Sequence, residues 1–166
     1  MSHAKTEVAI FGAGCFWGVQ YYFDEVPGVV ETEAGYSGGH TSHPSYWDVV
    51  SHRTGHVESV RIVFNPSKVS YETLLKHFFR IQDPTSELRP DGINGGDTYR
   101  SVIFYSSQSQ QKTAQEVIDK LNKEKYDGKI ATKLEPAGKW WAAEDDHQKF
   151  TARTGVGACH VDYSPL

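Results

Sequence analysis

The sequence is poor in cysteine and has no long apolar run. Only two of its 166 residues are cysteines, Cys15 and Cys159, and two are too few for the disulfide framework of a small secreted domain. No segment approaches the roughly 18 apolar residues that a membrane-spanning helix needs, and the residues before Val8 are polar. These absences predict a cytoplasmic protein without a signal peptide or a membrane span, whose cysteines are free or catalytic thiols.

An excess of positive charge is lacking as well. There are 17 Lys and Arg residues against 21 Asp and Glu, a formal net charge of -4, so the basic footprint of a nucleic-acid-binding protein is missing. No phosphate-binding loop, dinucleotide fingerprint or Gly-x-Ser-x-Gly elbow occurs. The length predicts one domain over residues 1–166, with a core at about 8–150 and an irregular tail at about 154–166. We expect this domain to act as a monomer.

Hydrophobic periodicity predicts strands and helices that do not alternate regularly. The predicted strands are Glu7–Ala13, Val29–Gly35, His56–Phe64, Tyr99–Tyr105 and Ile130–Glu135, the last of these being the final strand. The predicted helices are Cys15–Glu25, one turn near Pro44–Val50, Tyr71–Arg80 with Ser70 as its N-cap, Ser107–Glu124 and a short one at about Ala142–Arg153. This order favours an α+β fold, in which helices pack on an antiparallel or mixed sheet.

Cys15 follows Gly12 and Gly14, at a glycine-flanked turn where a strand is expected to lead into a helix. Backbone N–H groups at a helix start, together with the positive end of the helix dipole, favour a thiolate. Phe16 and Trp17 would place aromatic walls beside the sulfur. A packed core cysteine is the alternative, because free cysteines are commonly buried, but the flanking glycines and the helix start favour a reactive nucleophile.

Glu58 is predicted on the apolar side of its strand, since it shares a face with Val60, Ile62 and Phe64. Desolvation on that side favours the protonated carboxyl group, which is the form that a general acid needs. The alternative is a strand-end glutamate turned to solvent. It stays open because the opposite face, from Val57 to Val63, is mixed in character.

Two further patterns are weaker. Cys159 lies on a glycine-bearing tail that could bring a second thiol to an oxidised Cys15, but it could equally be an incidental tail cysteine. His40 and His43, and likewise His52 and His56, have spacings compatible with metal ligation. No carboxylate or cysteine accompanies the first pair, and we therefore predict no metal site.

Five motifs occur in an order that resembles peptide methionine sulfoxide reductase A, and the resemblance runs from about Val8 to Phe150. They are Gly14-Cys15-Phe16-Trp17-Gly18, Gly35-Tyr36-Ser37-Gly38-Gly39, Gly55-His56-Val57-Glu58, Tyr99-Arg100-Ser101 and Ala143-Glu144-Asp145-Asp146-His147-Gln148. The resemblance implies a ferredoxin-like two-layer α+β sandwich with long loops. It also implies reduction of the S epimer of methionine sulfoxide, free or in proteins, to methionine.

The resemblance further implies a role for each matched residue. Cys15 would attack the sulfoxide sulfur and become a sulfenic acid, while Glu58 protonates the oxygen. Tyr36 and Tyr99 would hydrogen-bond that oxygen, and Phe16 and Trp17 would hold the methyl group. A second thiol would convert the sulfenic acid into a disulfide, and thioredoxin or another dithiol would reduce it. No bound metal or nucleotide is implied.

Three positions depart from the family pattern. Asn94 stands where an aspartate is frequent, so it can hold water in the site but cannot ionise. Gln82 replaces a frequent histidine before Asp83-Pro84. The C-terminal region offers Cys159 alone, which leads us to predict a single Cys15–Cys159 disulfide.

Two other functions remain as alternatives. A thiol peroxidase or dithiol oxidoreductase would use the same two cysteines without needing Glu58. A non-catalytic module would bind methionine segments through Phe16 and Trp17.

Overall fold

The computed structural model describes residues 6–13, 16–50, 54–81, 101–128, 130 and 132–154. Within these ranges the strands are β1 (Glu7–Ala13), β2 (Val29–Ser37), β3 (Val57–Phe64), β4 (Ser101–Tyr105), β5 (Lys133–Pro136) and β6 (Trp141–Ala142). The α-helices are α1 (Phe16–Asp24), α2 (Tyr46–Val50), α3 (Tyr71–Arg80), α4 (Gln108–Leu121) and α5 (Phe150–Thr154). A π-helical turn, Asn122–Tyr126, extends α4, and a 3₁₀ turn spans Asp145–His147.

The described strands form one mixed sheet of six, in the order β5-β4-β1-β3-β2-β6. Only the β4–β5 pair is parallel; the other neighbours are antiparallel. Apart from the short helix α2, the elements from β1 to β4 follow the β-α-β-β-α-β order of ferredoxin-like folds, and β3 lies between β1 and β2 in the sheet. This confirms the predicted α+β class and its mixed sheet.

Alternate side chains of each strand point to opposite faces of the sheet. Both faces of this sheet carry apolar residues. The larger core lies on the face against which the helices pack, here called the helix face; its largest fully buried members include Phe11, Phe16, Phe23, Ile62, Phe64, Leu74 and Phe78. The opposite face, here called the outer face, holds a smaller cluster of Ile10, Val57, Val102 and Phe104, against which Trp140 packs. Both apolar clusters therefore include side chains from the central strands β1, β3 and β4.

Helix α3 begins where the sequence predicts. The hydroxyl group of Ser70 accepts a hydrogen bond from the backbone N–H of Thr73 at 3.0 Å, which satisfies one of the free N–H groups of the first turn. Leu74, Leu75 and Phe78 on this helix are fully buried. The predicted N-cap and apolar face of α3 are both confirmed.

The segment after Lys139 differs from its prediction in two ways. Ile130–Glu135 is not the final strand, because Trp141 and Ala142 pair with Tyr36 and Gly35 as β6. A helix over 142–153 is also wrong: φ is +56° at Lys149, a left-handed conformation that interrupts a right-handed helix. Long-range pairing therefore overrides the local helical preference of this segment.

No helix in the described ranges has both the length and the apolar character to cross a membrane.

Candidate active site

Glu58 and Tyr36 face each other across two antiparallel strands. In the register of β2 and β3, Tyr36 lies directly opposite Glu58, and Ala34 lies opposite Val60. Side chains of a directly opposed pair project from the same face, with Cβ atoms about 5 Å apart. Glu58 is 1% exposed and Tyr36 is fully buried. The expectation that Glu58 lies on the apolar side is therefore confirmed, and the solvent-facing alternative is wrong.

The carboxyl group of Glu58 meets the start of helix α1. Its Oε1 accepts a hydrogen bond from the backbone N–H of Phe16 at 3.2 Å, and Phe16 is the first residue of that helix. The first N–H groups of a helix have no partner within it. The helix start thus binds the carboxyl group, while burial opposes its ionisation.

Phe16 is the centre of an aromatic cluster. Its ring centroid lies 5.7 Å from those of Tyr36 and His147 and 6.4 Å from that of Tyr46. The rings of Tyr46 and His147 are stacked at 4.4 Å. These residues come from α1, β2, α2 and the 3₁₀ turn, and the cluster exists only once the four segments have packed together.

Trp17 extends the cluster towards the surface. Phe16 is fully buried, whereas Trp17 is only partly so. The Trp17 ring stacks on Phe150 at 4.1 Å, and its Nε1–H donates to Nδ1 of His147 at 3.1 Å. The indole plane is thus fixed by one stacking contact and one hydrogen bond.

Glu144 binds two donors, one on each of its carboxylate oxygens. The Tyr36 hydroxyl donates to Oε1 at 2.8 Å, and the backbone N–H of Tyr46 donates to Oε2 at 3.0 Å. Partial burial acts to raise the pKa of Glu144, but the hydrogen bonds from Tyr46 and Tyr36 and the nearby His147 outweigh it and hold this pKa below its ordinary value. Glu144 is therefore an ionised acceptor at neutral pH.

Tyr36 is correspondingly a weak acid. Burial, the hydrogen bond to Glu144 and the negative charge of Glu144 together raise its pKa far above the ordinary range. The phenol consequently keeps its proton at any physiological pH.

Gln148 fastens the segment that carries Glu144 and His147 to the sheet. Its side-chain oxygen accepts from the N–H of Ala34 at 2.9 Å, and its side-chain nitrogen donates to the carbonyl of the same residue at 2.8 Å. Gln20, fully buried in α1, accepts from the backbone N–H of Lys149 at 2.9 Å. Two amide side chains thereby position the edge of the cluster.

The structure brings together four of the predicted site residues: Phe16, Trp17, Tyr36 and Glu58. The other four, Cys15, Asn94, Tyr99 and Cys159, lie outside the described residues, as do Gln82, Asp83 and His52.

Both ring nitrogens of His56 lie within hydrogen-bonding distance of backbone groups in the loop that follows β2. Its Nδ1 accepts from the N–H of Gly39 at 3.0 Å, and its Nε2 lies 2.8 Å from the carbonyl of Thr41. Within the described ranges, no group of three His, Cys, Asp or Glu side chains is arranged to hold a metal ion.

Sequence reasoning did not assign roles to Glu144, His147 or Tyr46. The first two lie in the matched motif 143–148, so that motif was the available signal. Tyr46 begins α2, in a segment where nothing in the sequence marks one aromatic residue as a site residue. The contacts of all three depend on long-range packing.

The chain is similar to proteins of one known family over most of its length. Residues 7–166 match the family described as "Peptide methionine sulfoxide reductase". The peptide methionine sulfoxide reductase MsrA of Acidobacterium capsulatum is 46% identical over 154 residues, which cover 92% of this chain and 98% of that protein.

Solved structures of similar proteins have the same fold. Mxr1 of Saccharomyces cerevisiae in reduced form superposes with a TM-score of 0.88 at 27% identity, covering 97% of this chain and 93% of that one. Methionine sulfoxide reductase A of Corynebacterium diphtheriae gives a TM-score of 0.85 at 32% identity, with 95% and 79% coverage. Mxr1 in complex with Trx2 shares the fold at a TM-score of 0.63 and 22% identity, with 90% and 87% coverage.

The matched residues 7–166 include all five sequence motifs. The fold is that of the solved family structures, and Glu58 and Tyr36 form a buried pair within it. The chain belongs to the peptide methionine sulfoxide reductase family and is an oxidoreductase.

Proposed function

We propose that the chain reduces the S epimer of methionine sulfoxide, free or within proteins, to methionine, with Cys15 as the nucleophile. One observation carries most of this proposal: Glu58, buried at 1% exposure, accepts the N–H of Phe16. The nitrogen of that N–H belongs to the peptide bond joining Phe16 to Cys15. Glu58 therefore binds the peptide N–H that directly follows Cys15 in the chain.

The chemistry requires an acid next to the nucleophile. As the Cys15 thiolate attacks the sulfoxide sulfur, Glu58 transfers its proton to the sulfoxide oxygen, which makes that oxygen a better leaving group. The oxygen ends on Cys15 as a sulfenic acid, so the methionine sulfur gains two electrons and the cysteine sulfur loses two. Glu58 then recovers a proton from solvent.

The hydrogen bond from Phe16 is compatible with this role. A neutral carboxylic acid can accept an N–H through its carbonyl oxygen and still donate through its hydroxyl group. With Oε1 accepting, Oε2 carries the transferable proton. Burial among the apolar residues of β3 favours this neutral form.

The remaining matched residues complete the site. Tyr36 and Tyr99 contact the sulfoxide oxygen, and Asn94 holds water or substrate there. Trp17, partly exposed, covers the methyl group, and Phe16 supports this surface from behind. The family resemblance supports the assignments of Tyr36, Tyr99, Phe16 and Trp17, while Asn94 stands where the family often has an aspartate. The cluster around Phe16 adds support for the methyl site.

Regeneration is proposed to use a second thiol and an external reductant. Cys159 condenses with the sulfenic acid to give a Cys15–Cys159 disulfide, and thioredoxin reduces it by thiol–disulfide exchange. No bound cofactor is needed for this cycle. We further propose that the chain acts as a single-domain monomer in the cytoplasm, where thioredoxin keeps thiols reduced.

The decisive experiment is turnover of separated sulfoxide epimers with thioredoxin. We expect the wild type to consume the S epimer and leave the R epimer, and Cys15→Ser to be inactive. Peroxide consumption without loss of methionine sulfoxide would instead establish a thiol peroxidase. Full cellular function of Cys15→Ser would favour a non-catalytic binding module.

The role of Cys159 has its own test. Mass spectrometry after one turnover without reductant should show a disulfide in the wild type and a sulfenic acid in Cys159→Ser. A persistent sulfenic acid in the wild type would contradict the proposed resolving role.

A further inference from the structure

The Tyr36 hydroxyl already donates its single proton in a hydrogen bond. A phenol has one donor and two acceptor lone pairs, and the donor of Tyr36 points to Oε1 of Glu144 at 2.8 Å. While that bond persists, Tyr36 has no proton to offer to a substrate. What it can present to the site is the oxygen.

Glu144 is well suited to accept that hydrogen bond. Both of its oxygens accept, one from Tyr36 and the other from the N–H of Tyr46. Charged acceptors form stronger hydrogen bonds than neutral ones. Glu144 itself lies on an exposed part of the chain, so its charge remains hydrated while its oxygens hold the two donors.

We propose that Glu144 is a positioning residue, which accepts the hydrogen bond of the Tyr36 hydroxyl and so leaves the Tyr36 oxygen as a hydrogen-bond acceptor in the active site. This inference rests on the proposed function and refines it. It specifies that, in the hydrogen bond between Tyr36 and the sulfoxide oxygen, Tyr36 is the acceptor.

The direction matters because the substrate oxygen changes character during the reaction. An unprotonated sulfoxide oxygen is an acceptor only, and a second acceptor gains nothing from meeting it. Once Glu58 has given up its proton, the same oxygen carries an O–H group that can donate to Tyr36. Tyr36 and Glu144 neither gain nor lose a proton in this step.

Such an interaction is stronger after proton transfer than before it. Contacts of this kind raise kcat and leave substrate affinity nearly unchanged, because they are absent from the ground state. Glu144 would therefore affect kcat more than KM, although it does not touch the substrate.

The test is a double-mutant cycle with Tyr36→Phe and Glu144→Gln. The two donors bind different oxygens of Glu144, and Gln would place an NH₂ group, which cannot accept, against one of them. With free methionine sulfoxide and dithiothreitol, we expect each single variant to lower kcat about tenfold, the effect of one hydrogen bond of ordinary strength. KM should change by less than about twofold.

The double variant decides between positioning and structural support. If Glu144 acts through Tyr36, kcat of the double variant should equal that of Tyr36→Phe alone. Multiplicative losses, about a hundredfold in total, would mean that Glu144 acts through Tyr46 and α2, and would overturn the inference. An unchanged kcat in Glu144→Gln would also overturn it.

Two further variants complete the design. Glu33→Gln is the matched control, because Glu33 also accepts a hydrogen bond from an aromatic side chain, that of Trp140, on the outer face. It should leave kcat unchanged. Glu144→Asp, which keeps two carboxylate oxygens, should retain more activity than Glu144→Gln, and equal losses in the two would count against the inference. Absence of sulfoxide reduction in the wild type and in Glu33→Gln would instead refute the proposed function itself.

Discussion

The two faces of the sheet carry the same kind of contact with different consequences. On the helix face, the Tyr36 hydroxyl donates to Glu144; on the outer face, the Trp140 indole donates to Glu33. The first contact adjoins the buried carboxyl group of Glu58, whereas Trp140 lies so close to Gly35 that an added Cβ would overlap its ring. The buried acid Glu58 thus lies where the start of α1 meets the helix face. On the outer face, the Trp140 ring packs directly on the backbone at Gly35.

The largest effect should come from Glu58→Gln on the helix face. The amide keeps the size of the carboxyl group but has no acid proton, so kcat/KM for methionine sulfoxide should fall by about 10² to 10⁴. Turnover with dithiothreitol measures this loss, and the thermal midpoint checks that the fold persists. Activity close to that of the wild type would show that Glu58 is not the proton donor.

On the outer face, Gly35→Ala should act on stability. The new Cβ would lie 2.5 Å from the carbonyl oxygen of Trp141 and would also meet the ring of Trp140, so β6 must shift. Overpacking of this kind costs about 1 to 3 kcal/mol in free energy of unfolding. Urea denaturation measures it; an unchanged midpoint would mean that β6 is loosely held.

Glu33→Gln should have a smaller effect. A partly exposed hydrogen bond contributes about 1 kcal/mol or less, and Glu33 is far from the Glu58 carboxyl in the sense that it points to the other side of β2. We expect a slight loss of unfolding free energy and normal kcat. A kcat loss similar to that of Glu144→Gln would remove the distinction between the two faces.

The smallest effect should be a difference in pH dependence between wild type and Glu144→Gln. Because the pKa of Glu144 is lowered in the folded state, its contribution to stability is present above the ordinary carboxyl pKa and disappears as pH falls through the lowered value. Thermal midpoints of the two proteins should therefore converge in acid and separate towards neutral pH. A constant difference across that range would argue against an ionised, stabilising Glu144.

Much of this fold follows from local patterns, as α3 illustrates. Ser70 has the residue type of an N-cap, and the apolar residues of α3 recur at helical spacing, so both its start and its buried face are predictable. Strand β3 is predictable for the same reason: Glu58, Val60, Ile62 and Phe64 alternate with less apolar neighbours. Such signals are contained in a few adjacent residues.

The segment from Trp140 to Phe150 shows where local patterns fail. Its structure depends on pairing with β2 and on the bonds from Gln148 to Ala34, more than a hundred residues away in the chain. The same holds for Glu144, whose partners Tyr36 and Tyr46 belong to other elements. Sequence motifs marked Glu144 and His147 as noteworthy, but only the packed chain reveals what they touch.

The register between β2 and β3 makes the active site a sensor of correct folding. Tyr36 and Glu58 share a face because they are directly paired, and a slip of one residue would send one of them to the other side of the sheet. A misregistered chain would then lack the acid, whatever the state of its thiol. Sulfoxide turnover measured alongside thiol titration would thus report the fraction of molecules with native strand pairing, even in preparations where misfolded chains remain in solution.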